Sequence, residues 1–436
     1  MTEINPDSFK RHIYILAVSV SIVNTGFGII FPIFPKLLVD VGGGTALDLA
    51  VLLATWATAF FISAPIFGNL ADRFGKKRII LLGLFGFAVS NFIYIFATKL
   101  SHLFIARVAE GIFAAAILPP AIAMTADLSP KESRGKYLGI MGASSTSGII
   151  IGPLIGGFLF EGFVFGEFSL QGSIRLPFYI SAFFGFLAFV WSFFQLPSLH
   201  SDNSLDRILE NSSLAKMSVF SRIGNTLRHQ VRVLPKPLYM FFFFILSEMF
   251  SILAWLTIEP GFIFYFYDEL LLSPIDFGLF VGAFAVINVL GQALLGNLSD
   301  KFGRKPVMIV GQLFSFLFYY SLLNAQTLSD LIFAVIFVGI GSGLREPAMK
   351  AWLSDVIDDK HRSTVFGIEA SLLSTSQIFG PLIGGYVYIT QGMNYLFWIA
   401  IAINIANIFL IMTLWFNEIE VDTDLIFNEP TPDFTE

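Results

Sequence analysis

Twelve mainly apolar stretches, each of a length that crosses a bilayer and separated by short polar intervals, decide what this chain can become. A hydrocarbon layer about 30 Å thick is crossed by a helix of about 20 residues. Inside it every backbone N–H and C=O must bond within its own segment, so each stretch is expected to be a helix. The stretches fall at 12–38, 49–70, 79–98, 102–126, 138–161, 175–198, 237–266, 273–297, 306–325, 329–353, 364–389 and 394–416, numbered here as spans 1 to 12. Charge is correspondingly scarce, at 13% of residues, against about 25% in soluble domains. The first ten residues are polar and run straight into an apolar stretch far longer than a signal-peptide core, which reads as a retained first span.

An even number of spans puts both chain ends on one side, and lysine and arginine say which side. With the N-terminus in the cytoplasm, 20 of the 26 Lys and Arg residues lie in cytoplasmic intervals. The opposite loops hold only Lys36, Lys99 and Arg175, among many acids. The interval 199–236 carries Phe220, Ile223, Leu227, Val231 and Leu234 at helical spacing with Arg222, Arg228 and Arg232 between them. That pattern fits a basic amphipathic helix on the inner leaflet or a solvated linker helix. The tail 418–436 has seven acids and no Lys or Arg, a composition of disordered segments. Cysteine is absent and the five histidines are scattered, so no disulfide, metal site or cofactor is expected.

A constant offset of 228 residues aligns the two halves of the chain. It carries Gly68-Asn-Leu-Ala-Asp-Arg-Phe-Gly-Lys-Lys77 onto Gly296-Asn-Leu-Ser-Asp-Lys-Phe-Gly-Arg-Lys305, and Gly152-Pro-Leu-Ile-Gly-Gly157 onto Gly380-Pro-Leu-Ile-Gly-Gly385. Repeats six spans apart share one orientation, so a pseudo-twofold axis along the membrane normal is expected, with a binding site between the halves. The domain reading is a six-helix bundle at 1–198, the linker at 199–236, a second bundle at 237–417 and the tail.

These repeats resemble the major facilitator superfamily across about residues 12–416, and the drug:proton antiporter group within it. The loop Gly68 to Lys77, with Asp72, Arg73, Gly75 and Lys76, and its copy with Asp300, Gly303 and Arg304, is similar to that family's signature loop. The resemblance implies a cytoplasmic latch, closed when the transporter faces outward. Gly148, Gly152, Pro153 and Gly157 in span 5 match the exporter-associated pattern, repeated in part by Gly380 and Pro381 in span 11, where Ser376 replaces the first Gly. Physically, small residues four apart let helices approach closely in lipid, and a proline kinks a helix. Leu103 to Gly111 in span 4 resembles a third pattern, with Glu110 where Gln is usual. Gly26 to Pro35 in span 1 fits the drug-exporter pattern, but the acid often found just before it is replaced by Val23 and Asn24. The implied fold is an all-α membrane protein of twelve transmembrane helices in two pseudo-symmetric six-helix bundles.

Ionisable groups inside a membrane are expensive and mark function. Here they are Arg107 and Glu110 (span 4), Glu248 and Glu259 (span 7), Arg345, Glu346 and Lys350 (span 10) and Glu369 (span 11). Spans 1, 4, 7 and 10 line the cavity in the family. The offset maps Arg107 to Val335, Glu110 to Val338 and Glu248 to Val20, so these charges serve one half only. Glu248, about 16 Å along span 7, is expected near mid-bilayer as a coupling site. Glu259 is expected nearer the outer surface as a gate, and Glu346 with Lys350 as an i, i+4 pair.

The expected function is secondary transport by alternating access, as an exporter of small amphipathic or hydrophobic compounds against protons. The expected partners are that substrate, protons and membrane lipids, for a monomer in the plasma membrane. A facilitator or importer of a polar metabolite, a lipid-translocating relative and a transporter-like sensor are the alternatives. An enzyme is disfavoured, because the chain has no HExxH, GxSxG or clustered His/Asp set.

Overall fold

The computed structural model describes residues 6–42, 44–130, 134–165, 168–197, 238–355 and 362–416. Each of the twelve stretches is helical. Span 1 runs Pro6–Ile30, turns at 31–33 and continues over Phe34–Gly42, broken where Pro32 and Pro35 cannot donate to the helix ladder. Span 2 is Ala46–Phe74 and span 3 Lys76–Ile95. Span 4 is Leu100–Ala115 followed by Leu118–Leu128, interrupted just ahead of Pro119 and Pro120. Span 5 is Arg134–Glu161, span 6 Leu176–Gln195, and span 7 is Leu238–Phe264 ending in a π-helical turn, Tyr265–Glu269. Span 8 is Pro274–Leu295 with a short helix, Leu298–Phe302, after it. Spans 9 to 12 are Arg304–Leu323, Leu328–Asp355, Arg362–Gln391 and Met393–Phe416.

Among the described residues, eleven of these helices are long and apolar enough to cross a membrane. Span 11 has the length, at 30 residues, but is more polar, carrying Glu369, Ser374, Thr375, Ser376 and Gln377. One element has no counterpart in the sequence reading. Between spans 5 and 6, β1 (Gly162–Phe165) and β2 (Phe168–Gln171) form a small antiparallel hairpin, Gly162 opposite Gln171. The basic helix expected in 199–236 and the acidic tail lie outside the described residues.

The helix packing repeats itself six spans on. Span 1 packs on spans 5 and 6, as span 7 does on 11 and 12. Spans 2 and 3 pack on span 4, and span 3 on span 6, mirrored by 8 and 9 on 10 and 9 on 12. The halves meet along two seams, span 5 with span 8 and span 2 with span 11. These seams are copies of each other. A side chain on Gly157 would meet the backbone of Ile275, and one on Gly385 that of Leu47, each pair related by the 228-residue offset. Both spans that begin there, 2 and 8, start with the same capping box, Thr45 with Asp48 and Ser273 with Asp276, which satisfies backbone N–H groups at the helix start.

The core is one large cluster at one end and, at the other, separate clusters that each stay within one half, a small one around Ala71, Ile79 and Ala116 among them. At the end away from the N-terminus, Ile33, Phe34 and Leu49 of the first half are continuous with Phe262, Phe266, Phe277 and Phe397 of the second. Tyr267 donates to the Pro32 carbonyl at 2.6 Å, Lys36 lies over the Tyr267 ring at 4.4 Å, and Ile275 N–H donates to Glu161 Oε1 at 3.1 Å, all across the halves. At the N-terminal end, Ile13, Leu84 and Met124 cluster within the first half, while Phe241, Met308 and Leu353 cluster separately within the second. Among the described residues, the molecule is therefore closed at the far end and parted at the end that carries its N-terminus.

Candidate functional site

Above the parting, a cavity of about 450 Å³ lies between the halves, lined from spans 1, 2 and 7 to 12. Its wall is aromatic: Phe27, Phe31, Trp56, Trp255, Phe284 and Phe318 all contribute. Trp56 stacks on Phe60 with ring centroids 5.5 Å apart, and Trp255 on Phe284 at 5.6 Å. Polar side chains stand among these rings, including Glu259, Asn288, Arg345, Glu346, Gln377 and Asn404. Glu259 lines the cavity, and among the described residues nothing hydrogen-bonds to it. The Trp56 indole N–H is buried without an acceptor among the described residues. The cavity thus sets two carboxylates, an arginine and several amides against aromatic walls, the composition of a small-molecule site.

Span 4 carries a buried pair behind it. Arg107 Nη1 holds Glu110 Oε2 at 2.8 Å, with side chains 3% and 1% exposed. Tyr94 donates to the same oxygen at 2.9 Å, and the Arg107 guanidinium lies 4.0 Å from the Phe34 ring centre. The sequence paired these two residues, and the structure brings them together. Neither lines the central cavity. Glu110 is thus held away from the cavity, whereas Val338, its partner under the repeat, lines it.

Nearer the parted end, spans 7, 10 and 11 converge on Lys350. It pairs with Glu248 at 3.4 Å and with Glu369. Glu248, Lys350, Arg345 and Glu346 line a further cavity of about 310 Å³. Two expectations are corrected here. Glu346 does not pair with Lys350: it faces Arg345, at 3.7 Å, and accepts from Gln292 at 2.8 Å, because Lys350 reaches two carboxylates on other helices. Glu259, expected as an outer gate, lines the central cavity, while Glu248 sits with the lysine toward the parted end. The helix extends past its apolar stretch at the far end, as Phe264 runs on into the π turn, which moves Glu259 inward.

Arg345 also donates to Gln312 at 3.1 Å, and Gln312 to Asn404. Gln312 and Asn404, buried in spans 9 and 12, were missed because only ionisable groups were sought. A search for any amide inside an apolar stretch finds them. Trp56 and Trp255 carried no sequence signal beyond being aromatic.

At the parted end the two signature loops bind within their own halves. Lys76 pairs with Asp127, Lys77 donates to the Leu196 carbonyl, and Arg304 pairs with Asp300. Gly75 and Gly303 both hold φ near +90°, a region that favours glycine, so each loop turns there. A side chain placed on Gly68 would meet nothing within 4 Å, so packing does not explain that glycine. Arg73 is exposed, and the Asp72 side chain lies outside the described residues. In span 5, a side chain on Gly148 or Gly152 would strike the span 1 backbone, at Thr25 N for the first and Gly28 Cα for the second, both 2.6 Å away. Gly380 lies against Leu256 of span 7, and Pro381 lines the central cavity. Pro153 lies at the seam, where its carbonyl lies against Gly278.

The sequence model of the Major Facilitator Superfamily matches residues 16–262 and 244–431. The chain is 27% identical over 406 residues to the quinolone resistance protein NorA of Staphylococcus aureus, covering 92% of this chain and 96% of that one. It is 28% identical over 388 residues to multidrug resistance protein 2 of Bacillus subtilis, covering 87% and 89%. Among solved structures, a bacterial homologue of the human lysosomal transporter Spinster, in an inward-facing and unoccupied conformation, matches with a TM-score of 0.73 at 16% identity, covering 94% of this chain and 97% of that one.

Proposed function

Because this chain belongs to the major facilitator superfamily, we propose that it is a proton-coupled exporter of small amphipathic or hydrophobic compounds in the plasma membrane. The observation that carries the reading is the aromatic cavity between the halves, with Glu259 in its wall as an acid that has no hydrogen-bond partner among the described residues. A flat apolar surface gains from aromatic walls without demanding one shape, and the Glu259 carboxylate beside those walls favours a substrate that brings a positive charge. The resistance proteins it resembles along nearly their whole length support the same substrate class.

With both ends in the cytoplasm, as the distribution of cations favours, the arrangement described is inward-facing. Substrate reaches the cavity from the parted side, the far seam opens as the parted end closes, and the signature loops engage across the halves as a latch. The Glu248–Lys350–Glu369 cluster supports a role in coupling. A proton taken by one carboxylate loosens its hold on Lys350, so protonation changes which helices are tied together. Arg107 with Glu110 positions the outer half of span 4. Arg345 and Glu346 frame the cavity floor. The cycle needs one copy of the chain and its lipid surroundings. A proton crossing 100 mV supplies about 2.3 kcal/mol, and one unit of pH adds about 1.4.

The test is accumulation. In inverted membrane vesicles energised to be acid inside, an amphipathic cation such as tetraphenylphosphonium is expected to accumulate and to leak back when a protonophore is added. Uptake that stops at equal concentrations with or without the gradient would make this a facilitator.

A further inference from the structure

We propose that Arg345 anchors an acidic group on the substrate, held in place for it by Gln312 and Asn404, so that the central cavity takes amphiphiles bearing a carboxylate as well as a basic amine. The inference deepens the exporter reading and rests on it for its purpose. Arg345 of span 10 lines both the central cavity and the cavity beside Lys350, in a partition it shares with Ser251, Ile252 and Glu346. Its Nη1 donates to Gln312 Oε1 at 3.1 Å. With that oxygen engaged, Gln312 turns its amide nitrogen to Asn404 Oδ1, and Asn404 in turn donates to the Ala400 carbonyl at 3.0 Å. Both amides are buried, and a chain of aligned dipoles in a low dielectric fixes the guanidinium firmly.

The fold does not ask for this chain. The 228-residue offset takes Gln312 to Leu84 and Arg345 to Ile117, both buried in the core of the first half. The helices approach alike in the two halves: a side chain on Gly83 would lie 2.6 Å from Ile117, and one on Gly311 2.9 Å from Arg345 Cβ. Hydrocarbon fills the place in one half, so the guanidinium in the other is kept for what it meets in the cavity, against the cost of desolvating it. It also has hydrogen-bonding capacity to spare. Among the described residues Gln312 is its one hydrogen-bond acceptor. Glu346 stands 3.7 Å from Nη2, beyond hydrogen-bond length, and is held at 2.8 Å by Gln292 of span 8. A carboxylate is the acceptor that best matches a guanidinium, because it can take two of its N–H groups at once.

The opposite pole is Glu259. Glu248 and Lys350 meet at 3.4 Å and so stand at one depth. From that level Glu259 lies eleven residues toward the closed end along span 7, and Arg345 five residues along span 10. At about 1.5 Å per residue these are about 16 Å and about 7 Å, which sets the two poles about 9 Å apart in depth. Trp255, Phe284 and Phe318 belong to the wall of the same cavity. An aromatic body with a basic group at one end and a carboxylate at the other fits that interval, whereas a plain cation answers one pole only.

The test compares rhodamine B, which carries an ionised benzoate, with its ethyl ester, which keeps the cationic ring system and lacks the acid. Binding of each to the purified full chain is measured by fluorescence polarisation at neutral pH. Wild type is expected to hold the acid at least as tightly as the ester. Arg345→Ile with Gln312→Leu, the apolar pair that the first half carries, is expected to weaken the acid at least about tenfold and the ester less than about threefold. Gln312→Leu alone is expected to lower the preference for the acid, and to change nothing further in the Arg345→Ile background, since it acts through that residue. Equal losses for acid and ester, or an acid preference that survives the double replacement, overturn the anchor. The charge is also read without any substrate. The chain has no cysteine, so Ile252→Cys in the partition reports through its rates with a sulfonate-bearing and a trimethylammonium-bearing methanethiosulfonate. The ratio of the anionic to the cationic rate is expected to fall at least about fivefold when Arg345→Ile and Gln312→Leu are added. An unchanged ratio overturns the proposal. If wild type binds neither dye, the substrate reading fails while this ratio still decides the anchor, so the two fail separately.

Discussion

Tyr267 of span 7 donates a 2.6 Å hydrogen bond to the backbone carbonyl of Pro32 in span 1, joining the two halves at the closed end. The acceptor is free because span 1 breaks at 31–33, where no helical donor takes it. Loss of the hydroxyl in Tyr267→Phe removes a net contribution of about 1 kcal/mol. We predict a shift of about fivefold toward the state open at that end. Spin labels on the exposed Thr98 and Gln326, one in each half, should show a larger share of long distances by double electron–electron resonance.

The Arg107–Glu110 pair is almost wholly buried, so its members matter most when separated. Glu110→Ala leaves a buried guanidinium uncompensated and should cost about 3–5 kcal/mol. Replacing both by leucine removes the unpaired charge and should recover most of that loss. Thermal unfolding in detergent would show it. A double variant as unstable as the single one would mean that the pair's shape, not its charge, is what the fold needs.

The repeat glycines separate into two kinds. Gly75 holds φ +91°, so Gly75→Ala should cost about 1–3 kcal/mol. Gly68 lies within a helix with no neighbour within 4 Å, so Gly68→Ala should be neutral or slightly stabilising. Expression level and melting temperature of the two variants would separate turn geometry from loop function. If Gly68→Ala retains stability yet loses transport, that position serves the latch.

Lys350 sits between two carboxylates on different helices. Lys350→Ala is expected to stop proton-driven export, because neither Glu248 nor Glu369 then has a cation to release or recapture. Energy-independent exchange of substrate across the membrane should persist. The two assays, run on the same vesicles, distinguish lost coupling from lost binding.

Much of this architecture was legible because lipid is a severe solvent. Apolar length gave the twelve helices, and the 228-residue offset gave the symmetry that Gly157 with Ile275 and Gly385 with Leu47 display. The buried pair on span 4 was legible because its members are one turn apart on one helix. Partners on separate helices were not. Spacing along span 10 pairs Lys350 with Glu346, yet it reaches Glu248 and Glu369, since local spacing says nothing about which helices converge. The placing of Glu259 failed for a related reason. Depth along a helix was counted from the apolar stretch, whereas the helix continues through a polar-tipped π turn beyond it. The hairpin after span 5 escaped notice because a four-residue strand leaves too short an alternation to read.

The most direct test of the account is compound-dependent proton flux. Inverted vesicles acid inside are supplied with amphipathic cations, and collapse of the gradient is followed for wild type, Glu248→Gln and Glu259→Gln. The account predicts collapse in wild type, no collapse with Glu248→Gln although substrate still exchanges, and weakened substrate binding with Glu259→Gln. Full collapse in both variants, or none in wild type alongside gradient-independent exchange, would contradict it.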